Sequence, residues 1–172
     1  MMDETILANN GALDQLMAKF KNHLRLTSDD ADADLRDKLL SALTSVGHDI
    51  HRILPMSTVK ATAIVDSVGG RIVLKLRGPV CSVASVSVNG AAIKEGEDYK
   101  VIGNTLQISG DYKEATVEVQ YQAGYETIPA DMWEAVCLRG AGAYSNPLDT
   151  VQERQRASDA LIRPYRFKNW IS

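Results

Sequence analysis

The pattern of apolar residues changes period twice along the chain, and this most restricts what it can fold into. From Leu13 to Ile53 the apolar residues recur every three or four positions, as on one face of a helix. Between Thr58 and Tyr121 they alternate with polar ones, the period of a strand with one buried side. After Pro129 the helical spacing returns in Met132, Trp133, Val136, Cys137 and Tyr144. The order helices, strands, helices predicts an α+β fold. It has a helical core of about four helices with an inserted antiparallel β-sheet of about five or six short strands.

Within that order, residues 12–24 read as a first helix through Leu13, Leu16, Met17, Phe20 and Leu24. A second carries the stripe Leu35, Leu39, Leu43, Val46, Ile50 and Ile53 and ends at Pro55. Thr27-Ser28-Asp29-Asp30 supplies its candidate N-caps, and the acids up to Asp34 suit the positive end of the helix dipole. Asn89-Gly90, Gly103-Asn104 and Gly110-Asp111 mark turns between the strands. Pro129 opens a third helix, whose Gly140 and Gly142 cost about 1 kcal/mol each relative to Ala and so point to close packing against a neighbour. A more polar fourth helix covers residues 149–162 and stops before Pro164.

At 172 residues and 45% hydrophobic content the chain can bury one substantial core without disulfides or metals. Residues 1–172 are expected to form a single domain. Its helical core comes from 12–55 and 129–163, with the β insertion at 58–124 and a C-terminal docking tail at 163–172. Cys81 and Cys137 read as two buried, reduced thiols, in keeping with synthesis in a reducing cytoplasm. The charged first 25 residues do not read as a signal peptide, and no apolar run approaches the roughly 20 residues of a membrane span. The expectation is a soluble protein without a membrane partner.

Signals for chemistry are weak. His48 and His51 could share a metal from one helix turn, but no third ligand sits at a matching position, and a solvated helix face is the better reading. Gly69-Gly70 reads as a turn rather than a phosphate cradle, since no Lys-Ser/Thr follows. The acids from Asp29 to Asp34 lack the Gly and distal Glu of a calcium loop. No nucleophile elbow or His/Asp/Ser set stands out. No catalytic, cofactor or metal residue is assigned, and the protein is read as a non-enzyme.

Charge is uneven although its sum is only −3. The head is acidic, while Arg154, Arg156, Arg163, Arg166 and Lys168 oppose only Asp159 near the end. Arg163, Tyr165, Arg166, Phe167, Lys168 and Trp170 interleave three cations with three aromatics, a mixture common at protein interfaces and in single-strand nucleic-acid binding. Docking on a partner protein is the leading reading of this tail. A strap folded onto its own core and nucleic-acid binding are the others.

The succession of motifs resembles the head–tail connector, or adaptor, proteins of tailed bacteriophages. It comprises His23-Leu24-Arg25-Leu26 before the acids and the long helix, Gly78-Pro79-Val80 leading into Ser82–Val86, Asp98-Tyr99, and Val119–Tyr125. Pro129–Met132, Tyr144 with Asn146, and Leu161–Arg166 complete it. The resemblance implies a helical core with a β insertion, no enzyme activity, and a ring, commonly of about twelve copies, between the portal and the tail. Its implied partners are the portal protein, a tail or head-completion protein and further copies of itself, with DNA only as cargo through the channel. The implied location is the virion, after synthesis in the host bacterial cytoplasm. A heterologous ring interface needs two unlike patches on each subunit, and an acidic head with a basic tail provides them. Another phage assembly or surface-binding module using the sheet, or a small hydrolase, are the alternative functions.

Overall fold

The computed structural model describes residues 2–8, 10–145 and 151–166. Four helices and two antiparallel sheets make an α+β fold. The chain divides into two compact units, one from residues 10–55 and 125–172 and the other from residues 1–9 and 56–124.

The first unit is helical. Its helices are α1 (Asn10–Leu24), α2 (Asp32–Asp49), α3 (Ala130–Ser145) and α4 (Val151–Ile162), followed by a 3-10 turn at Arg163–Tyr165. The expected stripes face inward: Phe20, Leu35, Leu39, Leu43, Val46, Ile50, Met132, Val136 and Ile162 form one buried cluster. No helix of the described residues is long and apolar enough to cross a membrane.

Both α1 and α2 end on a residue in the left-handed region, Arg25 at φ 57° and His51 at φ 51°. Behind them Leu26 N–H donates to Lys21 O at 3.0 Å and Arg52 N–H to Gly47 O at 2.9 Å, the long return bond of a Schellman cap. The second helix therefore stops short of Pro55, although Ile53 and Leu54 beyond it are still buried.

The expected cap of α2 is corrected. Ala31 occupies the N-cap and no side-chain capping bond forms there. Ser28 Oγ instead accepts from Asp30 N–H at 3.2 Å, while Asp29 and Asp32 take the Lys21 ammonium of α1 at 2.5 and 2.6 Å. A cation delivered from the neighbouring helix outcompetes a backbone amide for these carboxylates. These bonds, that to Asp29 foremost, raise the pKa of Lys21, and the ammonium in turn lowers that of Asp29.

Among the described residues the second unit holds eight strands. They are β1 (Met2–Ala8), β2 (Ser57–Val65), β3 (Arg71–Lys75), β4 (Val80–Val88), β5 (Ala91–Ile93), β6 (Tyr99–Ile102), β7 (Thr105–Ser109) and β8 (Ala115–Ala123). They form a five-stranded sheet in the order β1-β2-β8-β4-β5 and a three-stranded sheet in the order β3-β7-β6. Val59, Ala61, Val86, Val117, Val119 and Tyr121 bury one side of the larger sheet; Ile72, Leu74, Leu106 and Ile108 bury one side of the smaller. Asn89 and Gly90, both at positive φ, make the tight turn expected of that pair. Two strands escaped the alternation. β5 has three residues, and β1 comes from the far N-terminus to pair with β2, Met2 opposite Ala63. On its inward side Glu4 accepts from the Tyr121 hydroxyl at 3.3 Å, so even its buried-side position is charged.

Candidate assembly surfaces

The C-terminal segment is the surface singled out by composition. Arg163, Pro164 and Tyr165 form the 3-10 turn after α4. Tyr165 packs against the helical core, and its hydroxyl reaches Asp131 Oδ2 at 3.4 Å. Partial burial, then the Asp131 carboxylate, raises its pKa. Arg166 pairs with Asp159 at 3.1 Å, while Arg163 is exposed. Phe167, Lys168 and Trp170 lie outside the described residues. The start of the tail is thus strapped to its own unit, whereas Arg163 remains presented to solvent.

Asp159 is shared with an arginine that composition does not single out. Arg139 on α3, with a side chain 9% exposed, places its guanidinium 2.8 Å from Asp159 and 2.6 Å from Asp49. Its Nε donates to Ser158 Oγ at 2.9 Å and its Nη1 to Ser45 Oγ at 2.5 Å. One fork therefore ties α2, α3 and α4 together, the geometry for which arginine rather than lysine is suited. Nearby, Arg52 donates to the Tyr125 hydroxyl, and Tyr125 N–H donates to Leu54 O at 2.9 Å. The Gly124-Tyr125 motif thus anchors the return of the chain after β8.

The remaining candidates fall into place as structure. His51 serves as the left-handed cap of α2, and Asp49 beside it belongs to Arg139. Among the described residues no group of three or more His, Cys, Asp or Glu side chains is placed to hold a metal. Gly69 and Gly70, both at positive φ, close the turn between β2 and β3, with Val68 N–H donating to Arg71 O at 2.8 Å. Tyr99 and Tyr121 are buried and Tyr112 is half-buried, which removes the aromatic platform that a ligand-binding sheet would present.

The expectation of two buried thiols is corrected at one position. Cys137 is buried, and burial, helped by Glu134, pushes its pKa up to about 12. Cys81 is exposed and free. The pairing of β4 with β8 shifts register between Val80 and Ser82, so Cys81 is the extra residue of a bulge and escapes the inward alternation.

A surface that alternation alone did not reveal is the outward side of the smaller sheet. Arg71, Val73 and Lys75 of β3 and Lys100 and Ile102 of β6 are exposed, while their neighbours Ile72, Leu74 and Tyr99 are buried. In β3 the alternation of exposed and buried residues was legible as period two. That β6 joins it across β7 follows only from the pairing.

No protein-family profile matches the chain, and no curated protein matches it in sequence. Solved structures do. A chain from the neck of an empty gene transfer agent particle, computed with C6 symmetry, is similar with a TM-score of 0.77 at 20% identity. A chain from the neck of the native particle, computed with C12 symmetry, gives 0.77 at 18%, and one from the native virion gives 0.72 at 19%. Each likeness covers 100% of this chain and 98% of the other. The chain therefore shares its fold with chains from the neck of a gene transfer agent particle, consistent with the head–tail connector family that its motifs resemble.

Proposed function

We propose that the chain is a non-catalytic structural subunit of a phage-like neck, assembling as a ring that joins the portal to the tail and lets DNA through. The observation that carries this reading is the fold shared with chains from particle necks computed with C6 and C12 symmetry, over the full length of the chain. A connector needs no reaction centre, only surfaces that fit copies of itself and its neighbours. A heterologous ring contact requires two different patches on one subunit, and the acidic α1–α2 region and the basic end of the chain differ in this way.

The tail is the part assigned to the portal. Arg163 with Phe167, Lys168 and Trp170 supplies the cationic and aromatic anchors, while Tyr165 and Arg166 tie the start of the tail to Asp131 and Asp159. Deleting residues 163–172 removes both anchors and strap, whereas deleting 167–172 keeps the strap.

Native mass measurement and negative-stain microscopy of the protein with and without its portal test the reading. A closed ring of defined copy number on the portal is expected. A chain that stays monomeric with the portal at every concentration overturns it. Co-sedimentation of the 163–172 and 167–172 deletions tests the tail; undiminished portal binding by the former removes it from the interface, and by the latter alone removes residues 167–172.

A further inference from the structure

The outward face of the three-stranded sheet has a composition unlike the rest of this mildly acidic chain. Its strands present three cations, Arg71, Lys75 and Lys100, and two apolar side chains, Val73 at 58% and Ile102 at 56% exposure. The middle strand adds Thr105, Gln107 and Ser109, each opposite one of these in the pairing. No strand residue on this side is acidic, and every polar group on it can donate a hydrogen bond. Arg71 and Lys100 form no ion pair among the described residues. Together with Gln107 and Ser109 they line a hollow of about 130 Å³, with Glu97 at its rim 4.0 Å from Lys94. The face is built to receive carboxylates beside exposed methyl groups.

A complement exists on the other unit of the same chain. Asp30 in the turn before α2 and Asp34 and Asp37 in its first turns are all exposed, the latter two on the side away from Leu35 and Leu39. Asp34 is 3.8 Å from Lys38 and Asp30 accepts from Ser28, while Lys21 is already taken by Asp29 and Asp32. The stripe is left net negative. We propose that the cationic face of the β3-β7-β6 sheet docks on the acidic stripe of α2 in a second copy of the chain.

This rests on the ring reading above: it gives the acidic α2 patch the sheet face as its partner in the ring and leaves the basic tail to the portal. Opposite charges steer the encounter and fix register more than they add affinity, and at physiological salt the roughly 8 Å screening length confines the effect to groups in contact. By strand spacing and rise the face covers only about 240 Å², well below the roughly 800 Å² a side of a stable interface. It therefore selects the partner and its register, with further contacts supplying the remaining area. Exposed Val73 and Ile102 favour a protein occupant over a bare phosphate backbone, because apolar centres with polar rims characterise protein contacts.

The test uses full-length chains, alone and with the portal, compared by native mass and microscopy. Wild type should assemble. R71E/K100E, which alters only exposed positions and should melt as wild type does, should lose at least tenfold in assembled fraction. D30K/D37K added to it restores complementarity and should recover assembly. If wild type assembles and R71E/K100E assembles equally well, the face is not the contact while the ring reading stands. Loss that the fourfold swap does not restore overturns the pairing with α2. Failure of wild type itself to assemble overturns both readings. Binding of duplex DNA by wild type that R71E/K100E loses, with assembly intact, assigns the face to nucleic acid and overturns the proposal.

Discussion

Gly140 on α3 and Phe20 on α1 meet so closely that a Cβ at position 140 would stand 2.7 Å from the ring's Cζ. The glycine is a packing residue, since Phe20 is fully buried and has nowhere to retreat. Gly142, two residues on, would place its Cβ 3.6 Å from the Arg154 side chain, an ordinary contact. Helix propensity favours alanine at both by about 1 kcal/mol, but overpacking a core costs about 1–3 kcal/mol. Gly140→Ala is expected to lower stability by up to about 2 kcal/mol, and Gly142→Ala to raise it by up to about 1 kcal/mol. Urea unfolding of the two variants checks the opposite signs.

Arg139 holds three helices through two carboxylates and two hydroxyls. Asp49 and Asp159 are partly exposed, so they can rehydrate when it is removed, and the cost stays below that of a buried pair. Arg139→Ala is expected to destabilise by about 1–3 kcal/mol, with Arg139→Lys in between because an ammonium cannot fork. Limited proteolysis should show α4 cut first in the Ala variant; identical cleavage patterns would remove the tie from α4.

The left-handed cap at His51 carries a Cβ in a conformation that costs an L-residue about 1–2 kcal/mol. His51→Gly should therefore raise the melting temperature, by an amount corresponding to about 1 kcal/mol after glycine's entropy is counted. A lower melting temperature would mean that the imidazole does more than cap.

Alkaline pH should weaken the fold through two buried protons. Burial, then Glu4, pushes the Tyr121 hydroxyl well above its ordinary value, and burial pushes the Cys137 thiol to about 12. Both pKa values are raised on folding, so their contribution is complete below the unfolded values, near 8.5 for Cys and 10 for Tyr. It is lost as pH climbs toward the folded ones. Stability should fall above about pH 9 by up to about 1.4 kcal/mol per pH unit for each group. Tyr121→Phe should remove its share of the slope, measured by denaturant unfolding at a series of pH values.

The two thiols should differ sharply toward an alkylating agent. At pH 8, Cys81 on its bulge should be modified in the folded protein and Cys137 only on denaturation, because the thiolate is the reactive form and burial suppresses it. Intact-mass measurement before and after denaturation checks this; two adducts in native buffer would contradict the buried position of Cys137.

What was legible in the sequence follows physical range. The stripe from Leu35 to Val46 and the turn at Asn89-Gly90 are dictated by neighbours a few positions away, and both formed as read. β1 was not legible, because its partner β2 lies far along the chain and its inward Glu4 breaks the alternation. Cys81 misled for a related reason: a bulge is a property of two strands in register. At the start of the tail, Tyr165 reaching Asp131 and Arg166 reaching Asp159 were not legible, because both depend on where α3 and α4 lie. The cationic sheet face needed β3 and β6 brought to either side of β7.

The remote partnership of β1 has a consequence for how the polypeptide comes off the ribosome. Met2 cannot find its ladder until Ala63 has been made, and α1 and α2 likewise wait for Met132 and Val136 to complete their apolar contacts. Contacts so distant along the chain slow folding and leave sticky surface exposed meanwhile. Nascent chains halted before β8 should therefore depend on chaperones, because the larger sheet cannot close without β8 nor the helical unit without α3.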